Sequence, residues 1–351
     1  MPNIKQKIKF PSELRMDVVN NDWVVIATGR ARKPESFKKP FVPTQEGTKK
    51  KETPEKSCPF CNIETQEKPI LVMVNGKRSE LTGKIPKNWT TIVIPNKYPA
   101  FMKADVLDER FEGPLYKAMN AVGSHEIVIT KDHKKQIANL EIGQVKEIFD
   151  VYQERYLDLM NEKFVSYVSI FHNHGLGAGA SVFHPHSQII TTPLLDTDLK
   201  GALSKSKEYF ENKKSCIYCE MNEWEKKINK RVVSENEDFI AICPFASKTA
   251  FEVIISPKKH FSYFERIIEK EKFGLAEIFQ KTMKKIYRGL QNPDYNFYLH
   301  TAPCDGQNHE YYHWHWTILP KTSVWAGFEI GTKMEISTIE PEKAAEYLRK
   351  Q

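Results

Sequence analysis

Two short segments decide how this chain is read: Cys58-Pro-Phe-Cys61 and Cys216-Ile-Tyr-Cys219. Each opens a run of features that then recurs in the same order. Glu126-Ile-Val-Ile leads to His133, and Glu252-Val-Ile-Ile leads to His260. A helical stretch and a strand follow in both cases. Then come His184-Pro-His186 and His313-Trp-His315. The intervals from the lone histidine to the His-x-His are nearly equal. Chance supplies one CxxC easily, but not this series twice, so the sequence implies an internal duplication.

Periodicity fills in the elements between these markers. Alternating or β-branched runs predict strands at Trp23–Thr28, Thr90–Pro95, His125–Thr130, Val165–Phe171 and Ser187–Thr192. The second half predicts strands at Phe239–Cys243, Phe251–Ser256, Tyr295–His300 and Trp314–Leu319. Apolar residues at helical spacing predict long amphipathic helices over 141–163 and Glu269–Leu290, with shorter ones over Thr197–Asn212 and in the 335–351 tail. Residues 35–57, rich in Lys, Pro and Thr, read as a surface loop.

Composition narrows the function classes. Of 351 residues, 40% are hydrophobic and 28% charged, which suits a chain with a real core. No apolar stretch reaches the roughly 18 residues that a membrane span needs. The N-terminus lacks an apolar signal segment, so a reducing, cytoplasmic location is expected. The net charge of +7 is spread among acids and forms no aromatic-basic stripe. A zinc-stapled nucleic-acid module is therefore the weakest of the readings, and no nucleic-acid partner is expected.

Six cysteines in such a chain argue against a disulfide scaffold. A thioredoxin-like CxxC would be expected near a βαβ pattern at a helix start. The histidines favour metal instead. The duplication nominates Cys58, Cys61, His133 and His184 as one set, and Cys216, Cys219, His260 and His313 as the other. Thiolate and imidazole donors suit tetrahedral zinc, and four protein ligands make a closed, structural site. His125, His172 and His174 are rival ligands in the first half, as are His300 and His315 in the second. Cys243 and Cys304 are bystanders.

The segment from Asn173 to Gln188 (NHGLGAGASVFHPHSQ) carries the chemistry. Its glycines let backbone amides approach a phosphate closely. On an extended strand His184 and His186 face the same way. If His184 serves the metal, His186 is left free as a nucleophile toward phosphorus.

His184-Pro-His186-Ser-Gln188, with Asn173 and the Gly/Ser segment, resembles the signature of the galactose-1-phosphate uridylyltransferase family, the transferase branch of the histidine-triad superfamily. The likeness spans nearly the whole chain, including Trp23, the Arg30-Ala-Arg-Lys33-Pro turn, Asn96, Asp132-His133, His300–Pro303 and Gly327–Glu329. It implies an α+β fold of two histidine-triad-like repeats, 1–195 and 196–351, sharing an antiparallel half-barrel sheet flanked by helices, usually in a homodimer. It also implies ping-pong nucleotidyl transfer from a nucleotide sugar to a sugar 1-phosphate or to inorganic phosphate, through a covalent adduct on His186. In that scheme Gln188, Ser181 and the amides of Gly179 and Ala180 hold the phosphoryl oxygens. Arg30, Lys33, Asn96 and Asn173 match nucleotide-binding positions, and Phe328 and Glu329 a sugar-binding segment.

Three features depart from the best-studied uridylyltransferases. Lys97 stands where they have an acidic residue, the hexose-recognising glutamine near Glu335 is missing, and the second metal site has no clear glutamate. The Cys216/Cys219 pair is instead similar to a plant branch acting as an ADP-glucose phosphorylase. A histidine-triad nucleotide-binding hydrolase or sensor is the reading from another class. His315 lacks a Gly-rich loop and a trailing glutamine, and is read as the relic of a nucleophile.

Overall fold

A computed structural model describes residues 12–28, 32–38, 53–81 and 83–351. Arg30, and most of the loop expected over 35–57, lie outside the described residues. In chain order the first half contributes β1 (Glu13–Met16), β2 (Trp23–Ile26), β3 (Leu71–Val74), β4 (Lys77–Arg78) and β5 (Thr91–Pro95). The hairpin β6 (Arg110–Glu112) and β7 (Tyr116–Ala118) follows, then β8 (His125–Thr130), helix α1 (Ile142–Leu159), β9 (Tyr167–His174) and β10 (His186–Thr192). Helices α2 (Thr197–Lys213) and α3 (Ile217–Ile228) lead into β11 (Val232–Glu235), β12 (Phe239–Ile242), β13 (Val253–Pro257) and helix α4 (Glu269–Leu290). Next come β14 (Tyr295–His300), β15 (His315–Pro320), the short α5 (Gly327–Thr332), β16 (Ile336–Ser337) and α6 (Pro341–Arg349).

The central sheet has eleven strands in the order β11-β12-β13-β15-β14-β9-β10-β8-β5-β3-β4, paired antiparallel throughout. Outward from the middle, β9-β10-β8-β5-β3 mirrors β14-β15-β13-β12-β11. The duplicated order of motifs thus becomes a duplicated order of strands. The seam is β9 against β14, in the register Asn173 opposite Asn296 and His172 opposite Phe297. A separate three-stranded sheet joins β1, β2 and β16, tying the tail back to the start of the chain.

Helices α1 and α4 cover one face. Their apolar residues recur at three- and four-residue intervals, as in Val145, Ile148, Phe149, Tyr152, Tyr156 and Leu159, so each buries one stripe. Phe149 of α1 and Phe279 of α4 lie 5.6 and 5.8 Å, ring to ring, from Trp316 of β15. Phe279 is also 5.1 Å from Phe297 of β14. Arg155 of α1 reaches the sheet by two 2.8 Å bonds to the buried carboxylate of Glu126 in β8. One core therefore serves both repeats.

Strand alternation decides which side chains remain for chemistry. In β10, Ser187 bonds Tyr152 of α1 at 2.5 Å and Ile189 joins the core. His186 and Gln188 therefore project from the opposite face.

The second CxxC sits differently from the sequence reading: Cys216 is the N-cap of α3. A helix start thus does not set a redox CxxC apart from a metal-binding one here. The histidines beside the thiols do.

Truncating Trp316 to Ala should cost about 3–5 kcal/mol, the range for a fully buried aromatic. Denaturant unfolding should show one transition at a lower midpoint. A second transition, with one repeat melting alone, would contradict the shared core.

Candidate active site and metal centres

The two proposed ligand sets converge as predicted. In each, one atom from every residue lies within 4.8 Å of all the others. Cys61 Sγ is 3.1 Å from His133 Nδ1, Cys58 Sγ is 3.6 Å from His184 Nδ1, and the two Nδ1 atoms are 3.3 Å apart. In the second group Cys219 Sγ lies 3.5 Å from His260 Nδ1 and 3.4 Å from His313 Nδ1, with Cys216 Sγ at 3.8 Å from the latter. Bonds of about 2.0–2.3 Å to a tetrahedral ion give donor separations of about 3.3–3.8 Å.

The tautomers make the stronger fit test. His133 Nε2 donates to Thr53 O at 2.9 Å and His184 Nε2 to Thr130 O at 2.7 Å. His260 Nε2 donates to Glu310 O at 2.7 Å and His313 Nε2 to Pro257 O at 2.9 Å. Carbonyls only accept, so all four rings turn an Nδ1 lone pair inward. Two lone pairs facing each other at 3.3 Å repel unless a cation lies between them. The donor sets therefore fit metal ions, and the outward bonds fix the ligand rings. Burial also pushes His184 down to about 4, which keeps its ring neutral.

His186 follows directly from the first group. Its Nδ1 lies 2.8 Å from the carbonyl oxygen of His184, so Nδ1 carries the proton and Nε2 holds a lone pair. Burial lowers its pKa, and the His184 carbonyl, which favours the charged ring, opposes this less strongly. The ring of Phe60, inside the CxxC, packs 5.0 Å away. The CxxC loop thus packs directly against His186.

Gln188 is held by a residue the sequence reading had set aside as a rival ligand. The backbone N–H of Ala100 donates to His125 Nδ1 at 3.1 Å. An amide only donates, so the His125 proton must be on Nε2. From there it reaches Gln188 Oε1 at 2.8 Å. The Gln188 amide is thereby oriented, with its NH2 left for an anion. Asn96 accepts from the Tyr98 N–H at 2.9 Å, and its backbone N–H donates to the His125 carbonyl at 2.8 Å. His172 and His174 also lie outside the metal group: His172 bonds Ser187 at 3.0 Å and His174 bonds Asn292 at 3.0 Å.

The glycine-rich loop is bent where the sequence demands it. Gly175 has φ +81°, and a Cβ there would lie 2.0 Å from Asp294 Oδ1. Asp294 also accepts the Gly177 N–H at 2.7 Å. The expected phosphate cradle needs one correction. The Gly179 amide bonds Leu176 O at 3.0 Å and the Ala180 amide bonds Gly175 O at 3.1 Å, because the tight turn consumes its own donors. Ser181 stays exposed beside them. Asn173 accepts from Asn296 at 2.7 Å, which leaves its amide nitrogen available. Asn296 also binds Ala178 O at 2.9 Å, so a residue of the second repeat pins the loop of the first.

The outlying candidates are not gathered in. Lys33 is exposed in a turn. Glu329 caps α5 by accepting the Ala326 N–H at 3.0 Å, and Phe328 is about half exposed. Among the described residues, no hydrogen bond joins either to the His186 array.

Comparison with known proteins bears on this arrangement. Residues 4–196 match the profile described as galactose-1-phosphate uridyl transferase, N-terminal domain, and residues 202–350 match the C-terminal domain. The chain belongs to the galactose-1-phosphate uridyl transferase family. It is 31% identical to ADP-glucose phosphorylase of Arabidopsis thaliana, over 96% of this chain and 92% of that protein. It is 26% identical to galactose-1-phosphate uridylyltransferase of Thermotoga maritima, over 96% and 98%. A crystal structure of the Arabidopsis thaliana ADP-glucose phosphorylase with bound ADP-glucose is similar at TM-score 0.75 and 27% identity, covering 97% of this chain and 99% of that one. A structure of uridylyltransferase reaches TM-score 0.72 at 26% identity, covering 96% and 97%. Members of the family are enzymes that transfer nucleotidyl groups, and this chain is one of them.

The His125–Gln188 bond makes a measurable prediction. His125→Phe should lower kcat by about tenfold or more, as expected when a donor to developing charge is misplaced. In a Gln188→Ala background the same change should have almost no further effect. Independent, multiplicative losses would mean that His125 does not act through Gln188.

Proposed function

We propose that the protein is a UDP-glucose–hexose-1-phosphate uridylyltransferase of the galactose-1-phosphate type, acting by a ping-pong mechanism. The observation that carries this is the His184 carbonyl bond, which aims a neutral His186 Nε2 out of the sheet beside Gln188. The Nε2 lone pair attacks the α-phosphorus of the nucleotide sugar. The bond from that phosphorus to the bridging oxygen breaks, and hexose 1-phosphate leaves with the electron pair. A phosphate oxygen of the second substrate then attacks the nucleotidyl-histidine, the P–N bond breaks, and neutral His186 returns. Gln188 and Ser181 stabilise the phosphoryl oxygens as charge develops, and Asn173 contacts the nucleotide. Arg30, Lys33, Phe328 and Glu329 are proposed to bind substrate from segments beyond the His186 array.

A second reading has a specific observation in its favour. The 31% relative is named an ADP-glucose phosphorylase, and the chain has Lys97 beside Asn96 and paired cysteines in its second half. In that reading adenylyl passes from ADP-glucose to inorganic phosphate through the same adduct on His186.

Both metal groups are proposed to hold zinc, which as a closed four-ligand ion adds to folding stability. The domain division is proposed at 1–195 and 196–351. A homodimer is also proposed, supported by the exposed apolar side chains Val324, Trp325, Phe328 and Ile330. Sedimentation at the mass of a single chain would refute it.

Incubation with nucleotide sugar labelled in the nucleotide should leave acid-labile label on His186. UDP-glucose with galactose 1-phosphate and ADP-glucose with phosphate separate the two readings. His186→Asn should abolish labelling and turnover while keeping metal content and fold. If neither nucleotide sugar labels the wild-type protein, the transferase mechanism fails. Turnover with water alone would point to a hydrolase.

Metal analysis should return close to two zinc ions per chain, one for each group. Cys58→Ser should remove one of them and lower the unfolding midpoint. A wild-type content near one would remove a site.

A further inference from the structure

The registers of the two repeats superpose residue by residue. Thr317 of β15 lies opposite Tyr298 of β14 and Ile254 of β13. Gln188 of β10 lies opposite Phe171 of β9 and Ile127 of β8. Thr317 therefore stands where Gln188 stands, and His315 where His186 stands. Glu252, two residues before Ile254, takes the place of His125. His315 is also held in the same way, its Nδ1 3.1 Å from the carbonyl oxygen of His313.

A cavity of about 410 Å³ opens over this second face. Tyr298, His300, His315 and Thr317 lie on the sheet side. The turn Asp17–Asn20 and helices α2 and α3 close it from the other side. That volume falls within the range of sites for small organic molecules.

Four polar groups of the sheet side make no hydrogen bond within the protein. Among the described residues, the hydroxyls of Thr317 and Tyr298, the His300 ring and His315 Nε2 make no hydrogen bond, although Thr317 and His315 are only 4% and 6% exposed. Two side chains this buried, Thr317 and His315, each with an unpaired polar atom on the cavity wall, point to something polar that binds there.

Charge defines the kind of ligand. The two basic residues of the lining are already held by carboxylates: Arg231 by Glu225 and Glu342, and Lys248 by Asp22. Asp17 and Asp198 add negative charge at the rim. Phosphate is disfavoured there. The Tyr218 ring lies 5.1 Å from the His315 ring and offers a wall for a planar group.

We propose that the second repeat carries a separate, non-transferring site for an uncharged nucleoside. The base would lie against Tyr218, with its polar edge or the ribose hydroxyls on Thr317, His300 and His315. The inference rests on the duplication and the cavity, not on which nucleotide sugar the first repeat uses.

Equilibrium dialysis of radiolabelled adenosine and uridine against the full-length, metal-loaded protein tests it. One of the two should bind once per chain, in the submillimolar range or tighter, and should resist displacement by saturating nucleotide sugar. Thr317→Val and the cavity-filling Ala202→Trp should each weaken binding by about tenfold or more, whereas His186→Asn should leave it unchanged. The corresponding 5′-monophosphate should bind more weakly than the nucleoside. Absence of binding by both nucleosides would overturn the proposal. So would displacement by nucleotide sugar, or binding unaltered in both cavity variants. Failure to label His186 with nucleoside binding intact would count against the transferase reading and not against this site.

Discussion

The pairing of β9 with β14 is the interaction on which this molecule depends. It joins a six-strand and a five-strand unit into one sheet, since each contributes the strand that the other needs at its inner edge. The side chains reinforce the seam on both faces. On the helix side, His172 stacks on Phe297 with ring centroids 4.8 Å apart. On the open side, Asn296 clasps Asn173 and the carbonyl of Ala178. Without the second repeat, the first would lose an edge partner and the anchor of its glycine-rich loop.

The His-x-His segment is the device repeated on this frame. In an extended chain alternate residues face the same way, so the two rings are neighbours by necessity. The first ring joins the metal group through Nδ1 and bonds a carbonyl through Nε2. Its own carbonyl then holds Nδ1 of the next histidine. The metal group, the strand and the second histidine are therefore one unit. Both repeats contain it, but only the first places Gln188 and the glycine-rich loop beside the second ring.

Much of this was legible in the sequence for plain reasons. Helix α4 and strands β8 and β14 have the boundaries that periodicity predicts, because α4 buries one apolar stripe and the strands alternate or are β-branched. The eight metal-group residues were found by their repeated order. Helix α3 escaped notice because its CxxC drew the reading towards metal chemistry, although Ile217, Met221, Trp224 and Ile228 have helical spacing. The role of His125 was hidden for another reason. Its partners come from two distant parts of the chain, the loop Asn96–Ala100 after β5 and Gln188 in β10, and no local pattern joins them. The amides of Gly179 and Ala180 were misjudged because composition shows that a loop can turn tightly, but not which donors the turn consumes.

The sequence by itself determined the duplication, the two Cys2His2 sets and the free histidine after each, because order and spacing survive in a linear string. It also determined the α+β class, because the periods of 3.6 and 2 are local properties. Only the tertiary structure decided that the repeats share a core and meet at β9 and β14, since strand order depends on long-range pairing. It alone assigned the imidazole protons, because a tautomer is set by the carbonyl or amide that happens to lie opposite. It alone opened the cavity over the second repeat, which needs helices α2 and α3 and the turn after β1 to close over one sheet face.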